Sequence, residues 1–144
     1  MKKLALVLIA IVLVIYADRS LAAKKGQPAK PRPGNLVVYY FHGGFRCPSC
    51  LKIEKYTKES VESNYKDQIK SGKIVFKIIN IDVKGNEHFI MDYQLYTKSV
   101  IVSLVKDGKQ TKWKNLPKVW EYLNNKPRFL SYIKDEVGQY LKEL

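Results

Sequence analysis

Residues 36–53 read LVVYYFHGGFRCPSCLKI. Leu36 to Phe41 is a continuous apolar run of β-branched and aromatic residues, bounded by Gly34-Asn35 and Gly43-Gly44. Such a run predicts a short strand buried on both faces. From Pro48 the pattern turns helical. Ile53, Tyr56, Ser60-Val61 and Tyr65 recur at spacings of three to five between lysines and glutamates, and Ser71-Gly72 ends the run. Gly43-Gly44 is expected to supply unusual backbone angles that turn the strand into this helix. The only two cysteines of the chain, Cys47 and Cys50, sit where the helix begins.

That placement has chemical consequences. A cysteine at the N-cap or first position faces unpaired N–H groups and the positive end of the helix dipole, both of which favour a thiolate. Pro48 suits the first turn because its missing N–H leaves nothing unpaired. Arg46 and Lys52 add positive charge nearby. Cys50 lies almost one turn on, so the sulfurs can pair with little backbone movement. Cys47 is expected to be the exposed attacking thiolate and Cys50 the buried resolving thiol. Two other readings stay open. A staple between positions i and i+3 closes almost no loop and adds little stability. A metal site needs more ligands, and outside carboxylates only His42 and His88 are available, a weak zinc pattern but one compatible with Cu(I).

Working outward, Lys73 to Asp82 (KIVFKIINID) predicts a second strand. Asn86 reads as an N-cap, with Glu87 behind it and Phe89, Ile90 and Tyr93 on one face of a short helix. Ser99 to Val105 is a third strand, joined through the hairpin signal Asp107-Gly108 to a fourth at Lys109 to Lys114. Leu116-Pro117 opens a helix through Tyr122. Pro127 opens the last one, with Leu130, Ile133, Val137, Tyr140, Leu141 and Leu144 as its apolar stripe. A helix between the first two strands makes them parallel through a right-handed crossover. The expected fold class is α/β: a mixed four-stranded sheet with helices on both faces.

The ends carry different signals. Met1-Lys2-Lys3, an apolar run from Leu4 to Ala17 and then Ser20-Leu21-Ala22 read as a signal peptide over residues 1–22. The run is short for a spanning helix, although an uncleaved anchor is the alternative. Residues 23–34 (AKKGQPAKPRPG) read as a flexible linker, leaving one domain over 35–144. Export places the pair in a periplasmic or other extracytoplasmic, redox-managed compartment. The net charge of +13 implies attraction to acidic partners or an anionic membrane surface. Export and scattered lysines argue against nucleic acid. A monomer without a cofactor is expected.

A C-x-x-C between a first strand and first helix, in this element order, resembles the thioredoxin superfamily. The stretches YYFHGGFRCPSC, EKYTKE, DYQLYTKSVIV and KDGKQTKWKNL resemble, more narrowly, small exported thioredoxin-like proteins of the ArsF family, described as a nitrophenyl compound nitroreductase subunit. The resemblance implies a thioredoxin-like fold and a redox-active dithiol. The chain has no glycine-rich dinucleotide fingerprint to support a nitroreductase. It also departs from ordinary thioredoxins. Val100 stands where they carry a cis-proline, and a cis bond there without proline would cost about 2.5–4 kcal/mol, so a trans bond is expected. Loss of that proline strengthens the metal reading. Tyr40 and Phe41 occupy the neighbourhood of the buried aspartate that relays protons in reducing thioredoxins.

His42 is either a proton shuttle, a partner of the thiolate or a metal ligand, or else a histidine closing a hydrogen bond at the sheet end. His88 reads as surface. Tyr93 to Lys98 lie beside the C-x-x-C by topology. They form a partner rim, or Tyr93 and Leu95 pack the second helix. Trp113 and Trp120 read as core or a seam between the fourth strand and the next helix. The functional expectation is an exported thiol–disulfide oxidoreductase acting on a protein substrate or redox partner with thiols or a disulfide, with Cys47, Cys50, His42 and Arg46 at the site. The alternatives are a Cu(I) or soft-metal carrier and a non-catalytic accessory subunit of a redox system.

Overall fold

The apolar run forms β1 (Asn35–His42), with every residue after Asn35 buried. The computed structural model describes residues 34–144. The leader over 1–22 and nearly all of the linker over 23–34 lie outside the described residues. After β1 come α1 (Pro48–Asn64), α2 (Lys66–Lys70), β2 (Ile74–Asn80), α3 (His88–Asp92), β3 (Ser99–Lys106), β4 (Lys109–Asn115), α4 (Lys118–Glu121) and α5 (Lys126–Leu141).

The strands lie in the order β2-β1-β3-β4. β1 pairs parallel with β2 (Tyr40 opposite Ile78) and antiparallel with β3 (Tyr40 opposite Val100). β3 and β4 are antiparallel, with a register shift at Leu104/Val105. Asp107 and Gly108 both have positive φ (52° and 75°), the geometry a two-residue hairpin needs to match strand twist. The crossover, the order and the hairpin together are the thioredoxin-like arrangement. No peptide bond among the described residues is cis, so the one before Val100 is trans as expected.

Alternation along β1 divides the core in two. Leu36, Val38 and Tyr40 face one side with Val100, Val102 and Leu104, beneath α1 and α5. Val37, Tyr39 and Phe41 face the other with Ile101, covered by Tyr93, Leu95 and Phe89 from α3 and its flank. Helices therefore cover both faces.

Several details differ from expectation. The first helix breaks at Tyr65, which leaves the helical region (φ −131°, ψ 34°). Its hydroxyl donates to the Lys134 carbonyl and lies where a Cβ on Gly138 would come within 2.8 Å, so packing against α5 overrides helical continuation. In α5 Ile133, Val137 and Tyr140 of the expected stripe are buried, but in its first turn the buried residue is Phe129, with Leu130 only half-buried. The Asn125 side chain accepts from Arg128 N–H and sets the helix start one residue earlier. Asn86 does not cap α3. Its amide donates to the Asn80 carbonyl, and Glu87 stands at the cap. Trp113 packs edge-on to Tyr93 in one core, while Trp120 packs on the other and donates to the Lys98 carbonyl. The two share no seam. Gly43 and Gly44 have no positive φ; their smallness serves a close contact instead, described below.

Candidate functional site

β1 ends at His42, four residues cross to Cys47, and α1 begins at Pro48. Cys47 is extended (φ −77°, ψ 161°) and caps the helix, its Sγ accepting from the Cys50 N–H at 3.1 Å. Cys47 is half-buried, whereas Cys50 is fully buried. The two form a disulfide with their Cα atoms 5.0 Å apart. The helix start thus aims an N–H at the sulfur that would carry charge on reduction, which together with the dipole favours the Cys47 thiolate.

Beneath the pair, the Tyr40 hydroxyl donates to the Cys50 carbonyl at 2.8 Å. Burial pushes this hydroxyl from 10.0 up to about 12, with Arg46 lowering it and Glu54 raising it again. Tyr40 therefore stays protonated and holds the first turn of α1 onto β1.

His42 is buried at the sheet end, its Nδ1 2.8 Å from the Gly43 carbonyl and its Nε2 3.2 Å from Arg46 Nη1. A carbonyl only accepts and a guanidinium only donates, so Nδ1 carries the proton and Nε2 offers its lone pair to Arg46. The other arm of Arg46 pairs with Glu54 on α1. The guanidinium lies 5.9 Å from the Tyr40 ring centre, and its buried Nε has no partner among the described residues. The structure brings together His42, Arg46, Cys47 and Cys50, and adds Tyr40 and Glu54. Glu54 is legible in hindsight as the residue four beyond Cys50, on the same helix face.

With its lone pair engaged by a cation, His42 does not present Nε2 to a metal. Among the described residues no group of three or more His, Cys, Asp and Glu side chains could hold one. His88 is exposed on α3 and pairs with Asp92 at 2.6 Å.

Asp82, just past β2, accepts from the Gly44 N–H at 2.6 Å. A Cβ on Gly43 would come within 2.9 Å of the same carboxylate, so this turn needs small residues for close approach. No local sequence signal could show this, since the partner lies 38 residues away. A cleft of about 290 Å³ opens beside the turn, lined by Phe45, Asp82, Leu95, Tyr96 and Lys98 among others. Tyr93 and Leu95 are buried, as packing predicts, while Tyr96 is 94% exposed and forms a rim. Phe45 and Tyr96 of the cleft lining are exposed, as are Leu51 on α1, Val83 after β2, and Ile90 and Met91 on α3. The other exposed large apolar side chains among the described residues are Ile78 and Leu144.

No protein-family model matches the chain, and no curated protein sequence matches it. Solved structures similar to it include oxidised thioredoxin O2 from Arabidopsis thaliana (16% identity, 67% of this chain and 76% of that one, TM-score 0.41). Fasciola hepatica thioredoxin is 18% identical over 67% of this chain and 83% of that one, with a TM-score of 0.40. Chlamydomonas reinhardtii thioredoxin f2 is 18% identical over 68% and 83%, with a TM-score of 0.37. The strand order and crossover, rather than these overlaps, define the fold.

Proposed function

We propose that the protein is a thiol–disulfide oxidoreductase for a dedicated protein partner outside the cytoplasm. One observation carries the reading: Cys47 caps α1 with its sulfur on the Cys50 N–H, while Cys50 is wholly buried behind it. That asymmetry divides labour between an attacking and a resolving sulfur. The reduced Cys47 thiolate attacks one sulfur of a partner disulfide and expels the other as a thiolate. Cys50 then loses its proton and attacks Cys47 Sγ, releasing the partner's second thiolate and restoring the Cys47–Cys50 disulfide. Two electrons pass to the partner, and the reverse sequence oxidises a partner dithiol.

The exposed aromatic rings of Phe45 and Tyr96 in the cleft lining support a polypeptide partner, since exposed apolar side chains at a cleft mark interaction surfaces. The leader read over residues 1–22 supports export, and the net positive charge supports association with an anionic membrane surface. Kinship with the ArsF proteins rests on the four stretches quoted above. Among the described residues no helix is long and apolar enough to cross a membrane.

The test is a Cys50→Ser trap in the native compartment. Its expected result is a covalent, reductant-sensitive adduct on Cys47 that Cys47→Ser abolishes. Absence of any adduct, with the protein present and folded, refutes the exchange reading.

A further inference from the structure

The exchange steps use Cys47 and Cys50 and leave three neighbouring side chains without a task. Arg46 directly precedes Cys47. Its guanidinium is held on one arm by His42 Nε2 at 3.2 Å and on the other by the Glu54 carboxylate. Arg46 and Glu54 are each about a quarter exposed (28% and 26%), so this pair is less screened than one in open solvent. The pose leaves the buried Arg46 Nε without an acceptor, as though the side chain were drawn toward its two clamps rather than placed for its own best bonding.

A free guanidinium next to Cys47 would add to the N–H and the dipole in stabilising the thiolate. Glu54 opposes that. It supplies compensating negative charge and fixes the cation between α1 and β1. The other ionisable side chains at this end are His42, Asp82 and Lys98, which line the cleft, and Lys52, exposed on α1. Asp82 is committed to the Gly44 N–H. Of these, only His42 shares Arg46 with Glu54.

We propose that Glu54 is a positioning residue of the dithiol. By holding Arg46 against His42 it limits how far the guanidinium stabilises the Cys47 thiolate. It thereby keeps the reduction potential of the disulfide below what the helix start and a free arginine would set. A less stabilised thiolate raises the free energy of the dithiol and favours its oxidation, with two electrons passing to the partner. The inference rests on the exchange reading above.

The magnitude follows from spacing. Seven residues at the helical rise separate Cys47 from Glu54 by about 10 Å. At that distance a unit charge in a partly screened setting directly shifts a titration by about half to one pH unit, and freeing the Arg46 guanidinium, one residue from Cys47, adds at least as much again. The experiment measures the pH dependence of Cys47 alkylation in the reduced full chain, for wild type, Glu54→Gln, Arg46→Gln and the double variant. Potentials are measured alongside in glutathione buffers.

Glu54→Gln is expected to lower the alkylation midpoint by about one pH unit or more and raise the potential, whereas Arg46→Gln raises the midpoint. Because Glu54 acts largely through Arg46, its substitution has at most about half the effect in the Arg46→Gln background. A midpoint unmoved or raised in Glu54→Gln, or equal shifts in both backgrounds, overturns the proposal. Glu54→Asp keeps the charge on a shorter arm and falls between wild type and Glu54→Gln. Should Glu54→Gln fail to fold, a Glu54→Asp midpoint at or above wild type overturns the proposal by itself. Wild-type protein that never equilibrates with glutathione refutes the exchange reading instead. Normal wild-type exchange with Glu54→Gln unmoved refutes only the role of Glu54.

Discussion

Replacing Tyr40 with phenylalanine removes one oxygen from the contact that holds α1 to β1. The ring is fully buried, and its hydroxyl donates to the Cys50 carbonyl at 2.8 Å. Phenylalanine fills the same space, so no cavity term enters. The loss is one buried hydrogen bond, typically about 0.5–1.5 kcal/mol. Cys50 sits in the first turn of a helix, where its carbonyl keeps the in-helix partner four residues on. The acceptor is therefore not orphaned, and the expected cost is about 1 kcal/mol. For a domain of this size that lowers Tm by about 4 °C. Urea unfolding of the oxidised protein near neutral pH, with unchanged m-value, measures it. A loss below about 0.3 kcal/mol would mean the bond contributes nothing, and one above about 3 kcal/mol would mean the hydroxyl supports more than this carbonyl.

Burial raises the Tyr40 and Tyr132 hydroxyls from 10.0 to about 12. Both states keep these protons below pH 10, and above it only the unfolded chain releases them. Their contribution is complete below pH 10 and lost as pH climbs through about 12. Urea midpoints should fall across that window, less steeply in Tyr132→Phe, and a flat profile would contradict the burial of both rings. Phe129→Ala empties a fully buried site against the Tyr56 ring and is expected to cost about 3–5 kcal/mol. A larger loss from Leu130→Ala would put Leu130 rather than Phe129 at the buried start of the α5 stripe, whose Ile133, Val137 and Tyr140 are buried as read from sequence. Gly108→Ala forces a side chain into the left-handed region at φ 75°, with an expected loss of about 1 kcal/mol; unchanged stability would argue against the hairpin geometry.

The parts of the fold legible in the sequence were those that local chemistry dictates. An apolar run as dense as Leu36 to Phe41 has nowhere to go but a buried central strand, and Asp107-Gly108 permits the positive φ values that close the hairpin. The helix start followed from Cys47-Pro48. What escaped depended on partners far along the chain. Tyr65 ends α1 because of Lys134 and Gly138. Gly43-Gly44 is small because Asp82 comes close, not because the backbone turns left-handed. Asn86 spends its amide on Asn80 rather than on a cap. β2 is rich in apolar residues, yet it is an edge strand with Lys77 and Ile78 exposed, since composition does not reveal strand order. At the candidate site, the cysteines, His42 and Arg46 are singled out by type and spacing, and the fold places them together. Glu54 looked like one of many helix-surface charges until Arg46 was seen to reach it.

The measurement that bears most directly on the dithiol is mapped alkylation of the fully reduced protein as a function of pH. Cys47, on a helix cap with an N–H at its sulfur, should react with a midpoint below about pH 7, and buried Cys50 should stay unmodified. A Cys47 midpoint at or above the ordinary thiol value of about 8.5, or equal modification of both cysteines, would contradict the assignment of an attacking and a resolving sulfur.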